Sequence, residues 1–306
     1  MALTYGNIKT ELASTVRFDL NKADQDFLIG QWTNLTIQDM NSRASWYWTV
    51  DRQIVQTVAD KTAGTVSISV DGTTVTGAST AFASGDVGKY IQFSSSDDWY
   101  KITTFTSSTS IEIEAPYTQT SALSGGTYTI RKFFYSLSST ADEILSVRQH
   151  ISPTKMNPVH YREFDIFYPS PEGTSKGEIY VPWGLDSSDN LVFSIYPWPD
   201  EIYNVEVRFK KKTVDLTSAA QQPSIPEKFR SVILDGALSR ALRHPASGGD
   251  IQKAELVRRA YEDGISRMED KQNQAPDYHP IIRSVEGNSR YPLGPSLPQD
   301  FDRRYR

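Results

Sequence analysis

Helical periodicity is confined to the two ends of this chain, and nearly everything between them alternates on a two-residue period. Helices and strands kept apart in this way do not build the alternating units of a parallel sheet. They predict an α+β fold, with a helical bundle made from both ends and a β region between. At the N-terminal end, residues 4–18 place Ile8, Leu12 and Val16 at four-residue steps, a short amphipathic helix. A second helix is predicted over 22–43. Its apolar positions are Leu28, Trp32, Leu35 and Met40, and Asn21 is the expected N-cap, with Asp24 three residues on. Trp46-Tyr47-Trp48 then opens an extended segment that continues through Ile54, Val55 and Val58.

At the other end, residues 224–245 read SIPEKFRSVILDGALSRALRHP. Ser224 as N-cap, Pro226 in the first turn and Glu227 at the third position predict a capping box. Phe229, Val232, Ile233, Ala237, Ala241 and Leu242 make one apolar stripe, the expected helix core, and His244-Pro245 ends it. After a short turn Asp250 caps a further helix with Ile251, Ala254, Val257, Tyr261, Ile265 and Met268 in line. So short a connection predicts an antiparallel helical hairpin. Residues 272–306 have no period on which to build a helix or strand, and the expectation is an extended C-terminal tail that gains order on a partner.

The middle divides by composition. Residues 62–131 are rich in Thr and Ser and contain six alternating runs: VSISV, TTVTG, KYIQF, YKITTF, SIEIE and TYTIRK. Asp71-Gly72 between two of them is a hairpin signal, and the alternation places Val66, Ile68 and Val70 on one face. This predicts a compact all-β module inserted in a host. From 132 the host resumes with FFYSLSS, ILSVRQHI, FDIFYP, GEIYVPWG, NLVFSIYPWP and IYNVEVRFKKKTVDL as strands of a β-sandwich or open sheet. The predicted division is 1–61 with 132–271 as core, 62–131 as inserted module and 272–306 as tail.

Bulk properties exclude more than they suggest. Charged residues are 23% of the chain and the net charge is −5, so no global basic field marks a protein that wraps nucleic acid. There is no cysteine, hence no disulfide or thiolate metal site. The start, MALTYGNIKTEL, has no secretory pattern, and no apolar run approaches the roughly 18–20 residues that cross a bilayer, so a soluble product of the cytoplasm is expected. Six Trp and sixteen Tyr suit protein interfaces.

Chemistry is sparse. His150, His160, His244 and His279 lack metal-ligand spacing. Asp97-Asp98 sit in a turn, and Glu112 and Glu114 alternate along one strand, as on a solvated face. Gly248-Gly249 precede a helix without a phosphate-loop pattern, and no GxSxG elbow occurs. Lys210-Lys211-Lys212 at a strand end suit phosphate or an acidic partner, but a solvated strand end reads as well. The expectation is a protein that is no enzyme and needs no cofactor or metal.

Three stretches, in order, carry a resemblance: FLIGQWTNLTIQDMNSRASWYW, the strand pair around EIYVPWG and LVFSIYPWP, and the Pro-started helix with its hairpin partner and tail. Together they resemble the head-to-tail adaptor (connector) proteins of short-tailed bacteriophages, over about 1–60 and 132–271. The insert resembles small β-modules of phage structural proteins. The resemblance implies a virion protein in a ring, commonly of twelve copies, docked under the portal and joining it to the tail nozzle and fibres. DNA would then pass through the lumen without sequence-specific binding. It also implies that the tail runs along the portal, with Tyr278, Ile281, Ile282, Tyr291 and Phe301 in grooves and Arg303, Arg304 and Arg306 at acidic rims. Two other readings are a nozzle or fibre-attachment protein and a carbohydrate-binding protein centred on Trp99 beside Asp97-Asp98.

Overall fold

The computed structural model describes residues 3–150, 155–247 and 249–273. Five helices are present among them: α1 (Tyr5–Val16), α2 (Ala23–Arg43), α3 (Tyr161–Phe167), α4 (Arg230–Arg243) and α5 (Ile251–Asn273). The first strands are β1 (Val50–Gln56), β2 (Thr65–Ile68), β3 (Thr74–Ala78), β4 (Tyr90–Phe93), β5 (Trp99–Ser107), β6 (Ser110–Ile113), β7 (Leu123–Gly126) and β8 (Tyr128–Arg131). Then follow β9 (Tyr135–Ser136), β10 (Ala141–Gln149), β11 (Asn157–Pro158), β12 (Ile179–Leu185), β13 (Leu191–Tyr196) and β14 (Asn204–Lys211). The protein is a mixed α+β structure of two compact units. The first combines the chain up to Trp48 with the chain from Thr213 onward, and the second is Thr49–Lys212.

The first unit is built from α1, α2, α4 and α5. Thr4 caps α1 by accepting from the Asn7 amide at 3.3 Å, and Ile8 and Leu12 are buried. Phe229, Val232 and Ile233 pack with Ile37, Met40, Trp46, Tyr261, Ile265 and Met268. Ala237 and Ala241 pack with Leu12, Ile29 and Trp32, and Leu242 is buried as well. The Asp250 side chain caps α5 through the Lys253 amide at 2.9 Å. On α5 the buried positions are Ala254, Tyr261, Ile265 and Met268, whereas Ile251 at the open first turn is exposed.

Two expected caps are absent because nearer partners take the polar groups. Asp19 accepts from both the backbone and side-chain nitrogens of Asn21, at 3.0 and 2.9 Å, and α2 starts after Lys22 with no side-chain cap. Ser224 instead accepts from Asn41 Nδ2 at 3.3 Å, and the turn before α4 is a 3₁₀ segment, Glu227–Phe229, after Pro226. The Trp46-Tyr47-Trp48 stretch runs into a turn at Tyr47–Thr49 and does not begin a strand. Trp46 is fully buried, stacked on Trp48 at 4.9 Å, and donates to the Met40 carbonyl at 2.6 Å. An indole with a partner for its N–H is worth more inside than on a strand face.

In the second unit, the three-stranded sheet β1-β14-β10 faces the four-stranded sheet β11-β12-β13-β9. Val55, Val147, Val205, Val207 and Phe209 from the first share one core with Tyr135, Tyr180, Phe193 and Ile195 from the second, which makes a sandwich. The seven-stranded sheet, in the order β7-β2-β3-β6-β5-β4-β8, curls around its own core, where Ile91, Ile102, Ile111 and Tyr117 are fully buried. The chain enters and leaves this sheet side by side. Lys61 and Ile130 exchange backbone hydrogen bonds at 3.0 and 2.8 Å, and Asp60 pairs with Arg131 at 2.5 Å.

Three local expectations change. Val70 is 41% exposed, since β2 ends at Ile68 and the turn through Asp71, at φ 56°, carries Val70 away from the face of Val66 and Ile68. FDIFYP lies in α3 and the two residues after it, with His160 Nδ1 accepting from the Arg162 amide at 3.3 Å. A run of six residues is too short to separate the two periods. Leu123–Gly126 adds a seventh strand, β7, to the six alternating runs, with Gly125-Gly126 at its end.

The tightest point in the first unit is Gly236 on α4. A Cβ there would overlap the Thr36 methyl and come within 2.8 Å of the Tyr261 ring, so only glycine lets α4 approach α2 and α5 this closely. Gly236→Ala is expected to lower stability by up to about 2 kcal/mol, an overpacking cost of ~1–3 offset in part by a helix-propensity gain of ~1. The urea midpoint of the full chain measures this, and a midpoint equal to or above the parent's would show that the contact is slack.

Candidate functional site

The polar residues that stand out in the sequence are occupied in structural work. His160 caps α3 as described. His244 Nδ1 accepts from the Ala246 amide at 3.2 Å, and its ring lies 5.5 Å from that of Trp32. Asp98 accepts from the Thr118 hydroxyl at 3.2 Å, and Glu114 pairs loosely with Lys101 at 3.7 Å. Trp99 packs edge-on to Phe133 at 4.8 Å with the Arg131 guanidinium over its ring. Lys212 is held by Asp189 at 2.7 Å. No group of three or more His, Cys, Asp or Glu able to hold a metal occurs among the described residues. None of their helices is long and apolar enough to cross a membrane.

Three buried or half-buried ionic clusters hold the elements in place. In the first unit, Asp39 of α2 accepts from the Tyr261 hydroxyl at 2.7 Å and from Arg43 at 3.2 Å, and Arg240 of α4 lies 3.6 Å away. Arg43 also reaches Glu262 of α5 at 2.5 Å. Burial pushes the Asp39 carboxyl up, but its hydrogen bonds from Tyr261 and Arg43 outweigh this and hold it below the usual range. Burial and the same carboxylate drive the Tyr261 phenol well above its ordinary value. Asp39 and Arg43 at i,i+4 are readable in the sequence. Their links to α4 and α5 are not.

In the seven-stranded sheet Asp86 is 2% exposed. It binds Lys61 at 2.6 Å, Lys89 at 2.7 Å and the Ala83 amide at 2.9 Å. Burial raises its carboxyl, and the two lysines and the amide more than reverse this. In the three-stranded sheet Glu206, also 2% exposed, accepts from Arg148 at 2.9 Å and Arg208 at 3.0 Å, with His150 Nδ1 at 3.5 Å.

What the second unit offers to a partner is mainly aromatic and aliphatic. Phe133 joins the sheets, touching Trp99 at 4.8 Å and Trp198 at 4.6 Å, and Phe134 meets Trp183 at 5.6 Å. On this base rests α3. Phe164 points inward, buried with Val181 and Trp198, while Ile166 and Phe167 are 74% and 71% exposed. In the first unit Phe27 of α2 and Leu256 of α5 are also exposed. Apolar side chains left outside on ordered helices belong to association surfaces more often than to catalytic pockets. The strand pattern expected for FDIFYP concealed the α3 group.

The predicted core residues Phe229, Val232, Ile233, Ala237 and Leu242 are buried in the first unit. The predicted tail residues Tyr278, Ile281, Ile282, Tyr291, Phe301, Arg303, Arg304 and Arg306 lie outside the described residues, as does His279.

The helical unit and the β unit each carry buried or half-buried ion clusters and present apolar side chains outward. Residues 112–285, more than half of the chain, match the family model described as SU10 adaptor protein, and the chain belongs to that family. It is therefore a phage adaptor-type protein, a virion component that works among head–tail proteins. The match begins in β6 and covers the sandwich strands from β9 onward, α4 and α5, with β1 outside it. No curated protein matches the sequence.

The Asp86 cluster gives a pH prediction. A carboxyl held below its unfolded value contributes stability that is full above about pH 4 and is lost as pH falls through the folded value. Asp86→Asn removes that dependence and leaves two lysines facing a neutral amide, at a cost of about 1–3 kcal/mol at pH 7. Urea unfolding at pH 7 and pH 3 should show a gap between parent and variant that narrows in acid. A constant gap would mean that the carboxylate charge does not matter there.

Proposed function

We propose that this chain is a head-to-tail adaptor of a short-tailed phage, forming a ring under the portal and joining it to nozzle and fibres. The observation that carries the proposal is the family match across the sandwich and the helical hairpin. Supporting it, the first unit gathers α1 and α2 from one end of the chain and α4 and α5 from the other. Outward apolar residues on α2 and α5 suit lateral contacts between copies, a heterologous interface that closes by rotation. The role is mechanical and calls for no catalysis. DNA passes through the lumen, and the Pro- and Arg-rich segment after α5 serves as the portal-binding arm.

Arginines at exposed-pair strengths of ~0–1 kcal/mol do not offset ordering of that arm at ~1–2 kcal/mol per residue. Tyr278, Ile281, Ile282, Tyr291 and Phe301 therefore carry the binding, and Arg303, Arg304 and Arg306 steer it. Electron micrographs of the purified chain, alone and mixed with its portal, should show rings seated on the portal. Truncation after Asn273 should leave the circular dichroism and melting curve unchanged while weakening portal binding at least ~100-fold, the loss of two or more anchors at ~1.4 kcal/mol per tenfold. Unchanged affinity would transfer the docking role to the helical unit.

A further inference from the structure

Lys210 leads to a surface that neither the family match nor the ring accounts for. In β14, Val205, Val207 and Phe209 face the sandwich core, so Glu206, Arg208 and Lys210 face outward. The register adds Arg52 of β1 directly opposite Arg208, and Arg148 of β10 opposite Glu206. Glu143 lies opposite Lys210. This face thus holds four cations, Arg52, Arg148, Arg208 and Lys210, against two carboxylates, Glu206 and Glu143, in a chain whose net charge is −5.

Its arrangement opposes stability. Like charges directly across a strand pair repel, yet Arg52 faces Arg208, and among the described residues neither Arg52 nor Lys210 forms an ion pair. Glu206, 2% exposed, accepts from one nitrogen each of Arg148 and Arg208, and so fixes two guanidinium groups on the face without neutralising both. A local conflict of this kind, supported by a buried counter-charge, belongs where a ligand supplies the missing charge.

We infer that the outward face of the β1-β14-β10 sheet binds the phosphate backbone of duplex DNA, through Arg52, Arg148, Arg208 and Lys210. A polyanion of phosphates fits better than an acidic protein. Protein interfaces need an apolar, well-packed centre, and the prominent exposed aliphatic on this face is Ile54. Phosphate contact needs only positioned cations, carries no sequence information and releases counterions. The inference deepens the adaptor reading by naming the surface that meets passing DNA, and it rests on that reading for the identity of the polyanion.

The test uses the full chain and a fluorescent mixed-sequence duplex, followed by anisotropy over a range of salt concentrations. Arg52→Ser/Lys210→Ser leaves the two arginines on Glu206 in place, and an unchanged melting curve verifies its fold. Lys176→Ser/Lys271→Ser removes the same charge elsewhere. The parent should bind with affinity that falls as salt rises. The face variant should bind more weakly, with a salt slope smaller by about 2, and the control should match the parent. The inference is overturned if the parent shows no salt-dependent binding or if both variants lose equally. It also falls if poly-glutamate displaces the duplex at equal charge, which would assign the face to an acidic protein. Portal-seated rings seen by microscopy together with unchanged DNA binding by the face variant would remove this inference and leave the adaptor reading intact.

Discussion

The antiparallel pairing of β1 with β14 is the constraint on which the rest of the structure depends. The helical unit takes two helices from each end of the chain, so everything between Thr49 and Lys212 must begin and finish in one place. The seven-residue register from Val50↔Lys210 to Gln56↔Asn204 does this, and the Lys211 amide continues it by donating to the Thr49 carbonyl at 2.7 Å. A ladder this long replaces a loop-closure problem with ordinary sheet hydrogen bonds. The same device recurs one level in. Lys61 and Ile130 pair where the chain enters and leaves the seven-stranded sheet, and the Asp60–Arg131 ion pair reinforces the neck.

The seven-stranded sheet has its own core, and Trp99 on its β5 strand meets Phe133, which in turn meets Trp198 of the sandwich region. Aromatic rings at edge-on distances resist bending more than a polar linker does. The α3 helix stands on the same aromatic base, so its exposed Ile166 and Phe167 are presented by a rigid support, not by a loop.

The charged groups divide by role. Asp86 and Glu206 are buried and Asp39 is half-buried, each beside two or more cationic partners, and each joins segments distant in sequence. Such clusters contribute specificity of arrangement more than net stability, since the desolvation of each charge offsets much of the attraction. They favour the arrangement of helices or strands in which each buried carboxylate meets its cations.

Periodicity is enough to place α1, α2, α4, α5, six of the seven strands of the 62–131 region and most of the sandwich strands. Apolar spacing is a local property, and burial of one face enforces it. What it could not decide was anything settled by competition between partners. Asn21 and Ser224 have the chemistry of caps, but Asp19 and Asn41 reach them first. Trp46 has the composition of a strand and fills the helical core instead. FDIFYP fits either period, and only the aromatic base beneath Phe164 decides for helix. Charge behaves the same way. The sequence shows a lysine triplet in an acidic chain, and only the register sets Arg52 against Arg208 over a buried Glu206. Local pattern determines which residues turn inward, whereas tertiary pairing determines which groups meet, because meeting depends on the return path of the whole chain.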